Sequence, residues 1–273
     1  MKLNKHNFIL NLPAVMGVCN VTLDSFSDGG KNYKVNDALK SIKKMYVDGA
    51  QLIDIGAESA RPGSDPITYN KEITKIEPIL KKIPKDKFII SIDSNKIETQ
   101  EFALKNGAHI VNDIFGGSEE LFFLTRKYKN GLILMHTPAP PKIMQKKIND
   151  YNDVLIDIKK YFKKRIILLK KYNISPTKVW FDPGIGFGKN LKQNLQIIKN
   201  IKKFKFNKYG LLLGSSRKSW IDYIDKSNVN ERVGGSIASV LFSLYQGVDI
   251  FRVHDVKETF QAIKIFNQIQ CSE

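Results

Sequence analysis

Arg252 and His254 stand two residues apart just after the short apolar run Ile250–Phe251, so in an extended strand both point the same way. Asp255 follows and opens a helical stretch, whose free N–H groups and dipole favour anions. An Arg, a His and a helix start together suit a phosphate or diphosphate. The competing reading is an Arg–Asp pair capping that helix beside a packed His. Asp93, Asn112 and Asp182 likewise follow apolar runs, Phe88–Ile92, His109–Val111 and Val179–Phe181. Buried carboxylates are costly unless they meet donors. A flat heterocycle with adjacent N–H groups, such as the guanidine-like edge of a pterin or guanine, supplies donors in pairs. Taken singly each residue suits a helix cap, but three in equivalent places argue for one site. Ser215-Ser216-Arg217-Lys218-Ser219 follows Leu211–Leu213, and its two adjacent cations call for anions or ligand acceptors nearby. Asn20 follows Val15–Cys19, where an amide oxygen suits a Mg²⁺ that also binds phosphate.

These residues need elements that bring them together. Leu52–Ile55 before Gly56 and Glu58, and Leu132–Met135 before His136, complete eight apolar runs that each stop at polar residues. A buried strand gains from being apolar throughout, so polar residues at the same end of every strand imply that all eight ends open onto one site. Helical periodicity occupies about 35–48, 70–82, 96–105, 118–129, 149–172, 190–203, 228–246 and 255–268. Strand and helix therefore alternate eight times, which predicts an α/β chain folded as a (β/α)8 TIM barrel. No linker divides it, so residues 1–273 read as one domain with 1–12 as an N-terminal lead-in. Asn228 or Asn230 is the expected N-cap of the seventh long helix. Two long connections, 20–34 and 56–69, are rich in Gly, Ser and polar groups and read as lids over the catalytic face. The Pro- and Lys-rich stretch 137–150 reads as a spacer. Gly184-Ile185-Gly186-Phe187-Gly188-Lys189 lacks the spacing of a P-loop, and a tight turn explains it equally well. His136 suits a packed structural role as well as a ligand contact. Neither a Ser–His–Asp set nor a metal-spaced His/Cys set is present in the pattern, which favours positioning and anion departure over nucleophilic catalysis.

The formal charge of +17 raises nucleic acid as a partner. The 44 basic residues are 38 Lys and only six Arg, however, and the Lys spread over most helical stretches. A phosphate-reading surface favours the bidentate Arg, so a solvated Lys-rich surface is expected, with no nucleic acid bound. Three of the Arg, Arg61, Arg217 and Arg252, follow predicted strands. No run approaches the roughly 18 apolar residues of a membrane helix. Cys19 and Cys271 make no disulfide or metal pattern, so a reduced, cytoplasmic protein without a membrane partner is expected.

Together the motifs Met16–Thr22, Asp24–Gly30, Glu58-Ser59 with Arg61–Gly63, Ser91–Asp93, Val111–Ile114 and Leu134–His136 resemble the dihydropteroate synthases. So do Asp182–Gly184 with Gly186–Asn190, Ser216–Ser219 and Arg252–Asp255; the resemblance runs from Pro13 to about Phe260. It implies condensation of 6-hydroxymethyl-7,8-dihydropterin diphosphate with 4-aminobenzoate, a step of folate synthesis. It further implies that Asp93, Asn112, Asp182 and Lys218 hold the pterin. Asn20, Arg252 and His254 would hold the diphosphate with Mg²⁺, and Lys218, Arg252, His254 and Asp93 would carry the catalysis. Pro62, Phe187, Arg217 and Ser219 would shape the aminobenzoate site. A homodimer that is a sulfonamide target is implied as well. The chain departs from the family at Ala60, where Thr is usual, and at Leu23 and Ala57, where Pro and Gly are usual. The readings left beside it are a pterin-binding methyltransferase barrel, which would need a corrinoid partner, and a basic RNA-binding barrel.

Overall fold

The structure is a computed structural model that describes residues 2–21, 31–59 and 63–272. Two short strands, β1 (Lys2–Leu3) and β2 (His6–Asn7), pair as an antiparallel hairpin. Eight more follow: β3 (Ala14–Asn20), β4 (Leu52–Gly56), β5 (Ile89–Asp93), β6 (Ile110–Asp113), β7 (Gly131–Met135), β8 (Val179–Asp182), β9 (Gly210–Leu213) and β10 (Ile250–Val253). These eight form a closed parallel barrel, with β10 pairing β3 to complete it. The long connecting helices are α1 (Lys31–Val47), α2 (Tyr69–Lys82), α3 (Ile97–Lys105), α4 (Glu119–Tyr128), α5 (Val154–Lys171) and α6 (Leu191–Lys199). A short α7 (Ser219–Asp222) precedes α8 (Val233–Tyr245), and α9 (Val256–Cys271) completes the series. The chain is thus a (β/α)8 TIM barrel, as the alternation of patterns predicted.

The two faces of each strand divide the core. Outward residues such as Ile53, Ile55, Ile90, Ile92, Val111, Leu134, Phe181 and Phe251 pack against buried helix residues including Ile79, Phe122, Phe162 and Val240. Inward residues Ala14, Met16, Leu52, Ile89, Ile110, Ile133, Trp180, Leu212 and Ile250 form a second cluster inside the barrel. Leu3 belongs to this inner cluster and is fully buried, with Phe8 and Leu10 packed against it. The stretch expected as a lead-in is therefore a plug in the floor of the barrel. Asn4 fixes it there, donating from its side chain to the carbonyls of Leu104 and Ala108, while its backbone N–H donates to Lys129.

Two other expectations need correction. The predicted spacer 137–150 is a packed element, because Met144 is buried, Gly63 donates to the Pro141 carbonyl and Gln145 reaches the Gly186 carbonyl. Asn228 precedes a single 3-10 turn, Val229–Glu231, and helix α8 begins only at Val233. Two glycines just inside α8, Gly234 and Gly235, lower its propensity where the sequence pattern placed the second helical turn.

Candidate active site

Inward positions alternate along each strand, so the rows that fill the floor with Leu52, Ile89, Ile110, Trp180 and Ile250 continue upward as polar residues. From Leu52 the next inward position is Asp54; from Ile89 they are Ser91 and Asp93. Ile110 leads to Asn112, Trp180 to Asp182, and Ile250 to Arg252. Register places Asp54 opposite Ser91 and Asp93 opposite Asn112. The expected residues Asp93, Asn112, Asp182 and Arg252 therefore lie on one inner surface. The helix-cap alternative fails for all three acceptors, since α3, α4 and α6 take Lys96, Ser118 and Asn190 as their N-caps.

Arg252 is the hub. Its Nε donates to Asp54 Oδ2 at 2.6 Å and its Nη2 to Asp93 Oδ2 at 2.7 Å. Asn112 Nδ2 donates to the same Asp54 oxygen at 2.9 Å. Asp54 itself is fully buried, and its other oxygen, Oδ1, has no partner among the described residues. The sequence reading missed Asp54 by treating Leu52–Ile55 as uniformly apolar. A carboxylate on the inward row of a barrel strand was the signal that could have found it. Burial works against the Arg252 charge, but Asp54 and Asp93 together outweigh that and raise its affinity for its proton. Burial raises Asp93 to about 7 against the pull of Arg252, with Asp54, Glu72 and Asp113 adding to the rise. Burial also raises Asp182, opposed by Lys218 and by the Gly184 N–H that donates to its Oδ1 at 2.8 Å.

Two glycines leave room between these groups. A Cβ on Gly56 would lie 3.6 Å from Asp93 Oδ2 and 3.7 Å from Asn20 Oδ1, so Asn20, exposed at the end of β3, borders Asp93. A Cβ on Gly214 would lie 3.6 Å from Asp182 Oδ2 and 3.9 Å from Arg252 Cβ. Asn20, Asp93, Arg252 and Asp182 thus surround one space.

Lys218 covers the side of this space next to Asp182. Its Nζ lies 4.5 Å from the centre of the Phe187 ring and donates to the Ile185 carbonyl. Burial lowers it to about 8, with Asp182 opposing and Arg252 assisting. The glycine-rich loop is bent to carry Phe187 there. Gly184 has φ +70°, and a Cβ on it would meet the His136 carbonyl at 2.1 Å. Lys189, which is buried, ties the loop down by donating to the carbonyls of Gly184 and Phe187 at 2.9 Å and of His136 at 3.3 Å. Burial lowers Lys189 to about 7, against the pull of Asp182. The loop is therefore a built support.

The remaining expected residues lie at the rim. His254 Nδ1 is 3.2 Å from Ser216 Oγ, and its ring keeps contact with solvent. The dense rim still strips enough hydration to lower it to about 4, with Arg252 and Arg217 adding to the effect. Arg217 is engaged away from the mouth. It makes a bidentate pair with Asp255, donates from Nη1 to Asn230 and holds φ +56°. Asp255 is thus paired with Arg217, and Arg252 is left for the barrel interior. Ser219 is exposed at the first position of α7. His136 is buried, edge-on to Tyr161 at 4.9 Å, and burial lowers its pKa well below the ordinary value. Pro62, Ala60, Arg61 and the motif Asp24–Gly30 lie outside the described residues. Among the described residues no three His, Cys, Asp or Glu side chains group as a metal cage requires. No helix among them is long and apolar enough to cross a membrane.

The surroundings can accept several N–H donors from a buried heterocycle and present cations to an anion at its edge. Comparison with known proteins agrees with that chemistry. A family model described as pterin binding enzyme matches residues 16–254. Dihydropteroate synthase of Escherichia coli K12 is 39% identical over 259 residues, covering 94% of this chain and 91% of its own. The Synechocystis enzyme of the same name is 37% identical, covering 92% and 88%. Among solved structures, a Yersinia pestis dihydropteroate synthase in a sulfonamide drug complex superposes with TM-score 0.89 at 34% identity, covering 100% and 99%. A Burkholderia cenocepacia dihydropteroate synthase complexed with 7,8-dihydropteroate gives 0.85 at 31%, covering 94% and 91%. With the barrel, the inner polar rows and these matches in agreement, the chain belongs to the dihydropteroate synthase family of pterin-binding transferases.

Proposed function

We propose that the chain condenses 6-hydroxymethyl-7,8-dihydropterin diphosphate with 4-aminobenzoate, giving 7,8-dihydropteroate and diphosphate. The observation that carries this reading is the convergence of Asp54, Asp93, Asn112 and Asp182 on one interior beside Arg252 and Lys218. Asp93, Asn112, Asp182 and Lys218 would take the pterin edge, whose paired donors answer the cost of the buried acceptors. Arg252, His254 and Asn20 would face the diphosphate. Mg²⁺ takes oxygen ligands, and Asn20 Oδ1 fits as a protein ligand because Asp54 Oδ2 and Asp93 Oδ2 are already engaged by Arg252. Bound there, the ion would offset charge on the departing diphosphate. Departure comes first in this scheme, and the arylamine then attacks the pterin methylene. His254, whose pKa is lowered by burial and by Arg252 and Arg217 in the free protein, would donate a hydrogen bond to the diphosphate.

The second substrate would lie against Phe187, Pro62, Ser219 and the Arg217 turn. The Yersinia relative was solved with a sulfonamide drug, and the Thermus thermophilus relative with 4-aminobenzoate, which supports the same ligand classes here. A cytoplasmic homodimer completes the proposal. Helix α8 carries no charged residue and exposes Phe242 and Tyr245, and its neighbour α9 exposes Ile265 and Ile269, apolar surface suited to a second copy. A monomeric mass by sedimentation equilibrium would refute the dimer. Product formation by purified protein with both substrates and Mg²⁺ tests the reaction, and a folded protein that makes no dihydropteroate overturns it. Lys218→Ala should abolish binding of a pterin analogue while Lys40→Ala on α1 leaves it intact; equal effects would contradict the site described.

A further inference from the structure

A second buried ionic cluster lies behind Asp93, and none of the roles above uses it. Lys96 Nζ donates to Glu58 Oε2 at 2.5 Å and to Glu72 Oε1 at 3.3 Å. Glu72, on α2, is 1% exposed and also accepts from Ser94 Oγ at 2.8 Å and Thr99 Oγ1 at 2.6 Å. Glu58 accepts the backbone N–H of Ile67 at 2.8 Å, so one carboxylate grips both ends of the loop joining β4 to α2. Lys96 follows β5 and is the N-cap of α3. A single cation therefore ties together the β4–α2 loop, helix α2 and the end of β5. Glu58, Glu72 and Asp93 line one small hollow with Ser94, Asn95 and Ile114, and like charges at such partly dry sites repel strongly unless a cation sits between them.

We propose that Lys96 is a positioning residue, a latch that sets the base of the β4–α2 loop for the second substrate. The inference rests on the reading of that loop, through Pro62, as part of the aminobenzoate site. Removing the ammonium leaves Glu58 and Glu72 facing each other across the hollow, and the cheapest relief is for Glu58, the more exposed of the two, to swing out. Ile67 then loses its acceptor, and the loop base loosens, while Asp93, which shares the hollow, stays held by Arg252 and the other pterin groups keep their places.

Lys96→Met tests this, with Lys96→Arg as the charge-preserving control. In the ligand-free protein, hydrogen exchange at the Ile67 amide should accelerate by about tenfold or more in Lys96→Met and by far less in Lys96→Arg. In steady state, Lys96→Met should raise KM for 4-aminobenzoate about tenfold with kcat and pterin-analogue affinity within about threefold, and Lys96→Arg should restore most of the loss. Unchanged exchange at Ile67 in Lys96→Met overturns the latch. So does a uniform loss of KM, kcat and pterin affinity, which would mark a general structural role. If the unaltered chain makes no dihydropteroate, the assignment of the reaction fails instead, and the exchange measurement still decides the latch.

Discussion

Asp54→Ala perturbs the centre of the inner network with the fewest atoms changed. Asp54 is completely buried and one of its oxygens, Oδ2, accepts from both Arg252 and Asn112. Removing one partner of a buried ion pair costs about 3–5 kcal/mol. Arg252 keeps Asp93 and is 22% exposed, which lowers the expected loss to about 2–3 kcal/mol. For a chain of this length that corresponds to a fall in Tm of roughly 4–6 °C. Asp54→Asn separates charge from shape. Its amide oxygen can replace Oδ2 as the double acceptor, with the NH₂ group where Oδ1 now lies, an atom without a partner among the described residues. It should therefore cost only about 1 kcal/mol. Asp54→Ala should also weaken a pterin analogue about tenfold or more, because Asn112 loses the contact that orients its amide. Scanning calorimetry and titration calorimetry on the same preparations measure both effects. An Asp54→Ala protein that melts within 1 °C of the unaltered chain, at a precision set by the ~2 °C expected per kcal/mol, would refute the hub. Equal losses for Asn and Ala would place the cost outside the double-acceptor geometry.

Leu3→Ala should cost about 2–5 kcal/mol by opening a cavity in the barrel floor, and a thermal scan should show it with pterin binding unchanged. Loss of binding alongside stability would mean that the floor and the mouth are coupled. Acid should destabilise the fold through His109, a fully buried residue that burial lowers from 6.5 to about 4. The unfolded chain takes up this proton as pH falls through 6.5, whereas the folded chain waits until about 4. Stability therefore drops across that window, by at most about 3 kcal/mol from this group, and levels off below it. Chemical denaturation of His109→Gln should show a shallower pH slope between 6.5 and 4, and an identical slope would remove His109 as the cause.

Where strands end was legible from the chain, because each barrel strand is a largely apolar run that stops at polar residues. Asp93, Asn112, Asp182, Arg252 and Lys218 could be singled out on that basis, since their types conflict with burial unless a ligand or a partner answers them. Asp54 was hidden by the same logic: an acid inside a run looks like noise until the two-residue period assigns it to the inward row. Arg217 was misleading for the opposite reason. It follows a strand and neighbours Lys218, but its positive φ and the distant Asp255 turn it out of the mouth, and neither can be read from local sequence. The Pro-rich stretch 137–150 looked like a spacer because its contacts, at Gly63, Gly186 and Gln193, are all far away in the chain. The hairpin at Lys2–Asn7 escaped notice because two-residue strands leave almost no pattern.

That hairpin has a consequence for the order in which the molecule assembles. Leu3 belongs to an inner cluster that draws residues from β3, β4, β5, β6, β7, β8, β9 and β10, so its seat is complete only when the barrel has closed. A contact absent from the folding transition state acts mainly on how fast the native state opens. The floor plug is therefore expected to hold the closed form shut for longer, so that Leu3→Ala unfolds faster while its refolding rate changes little.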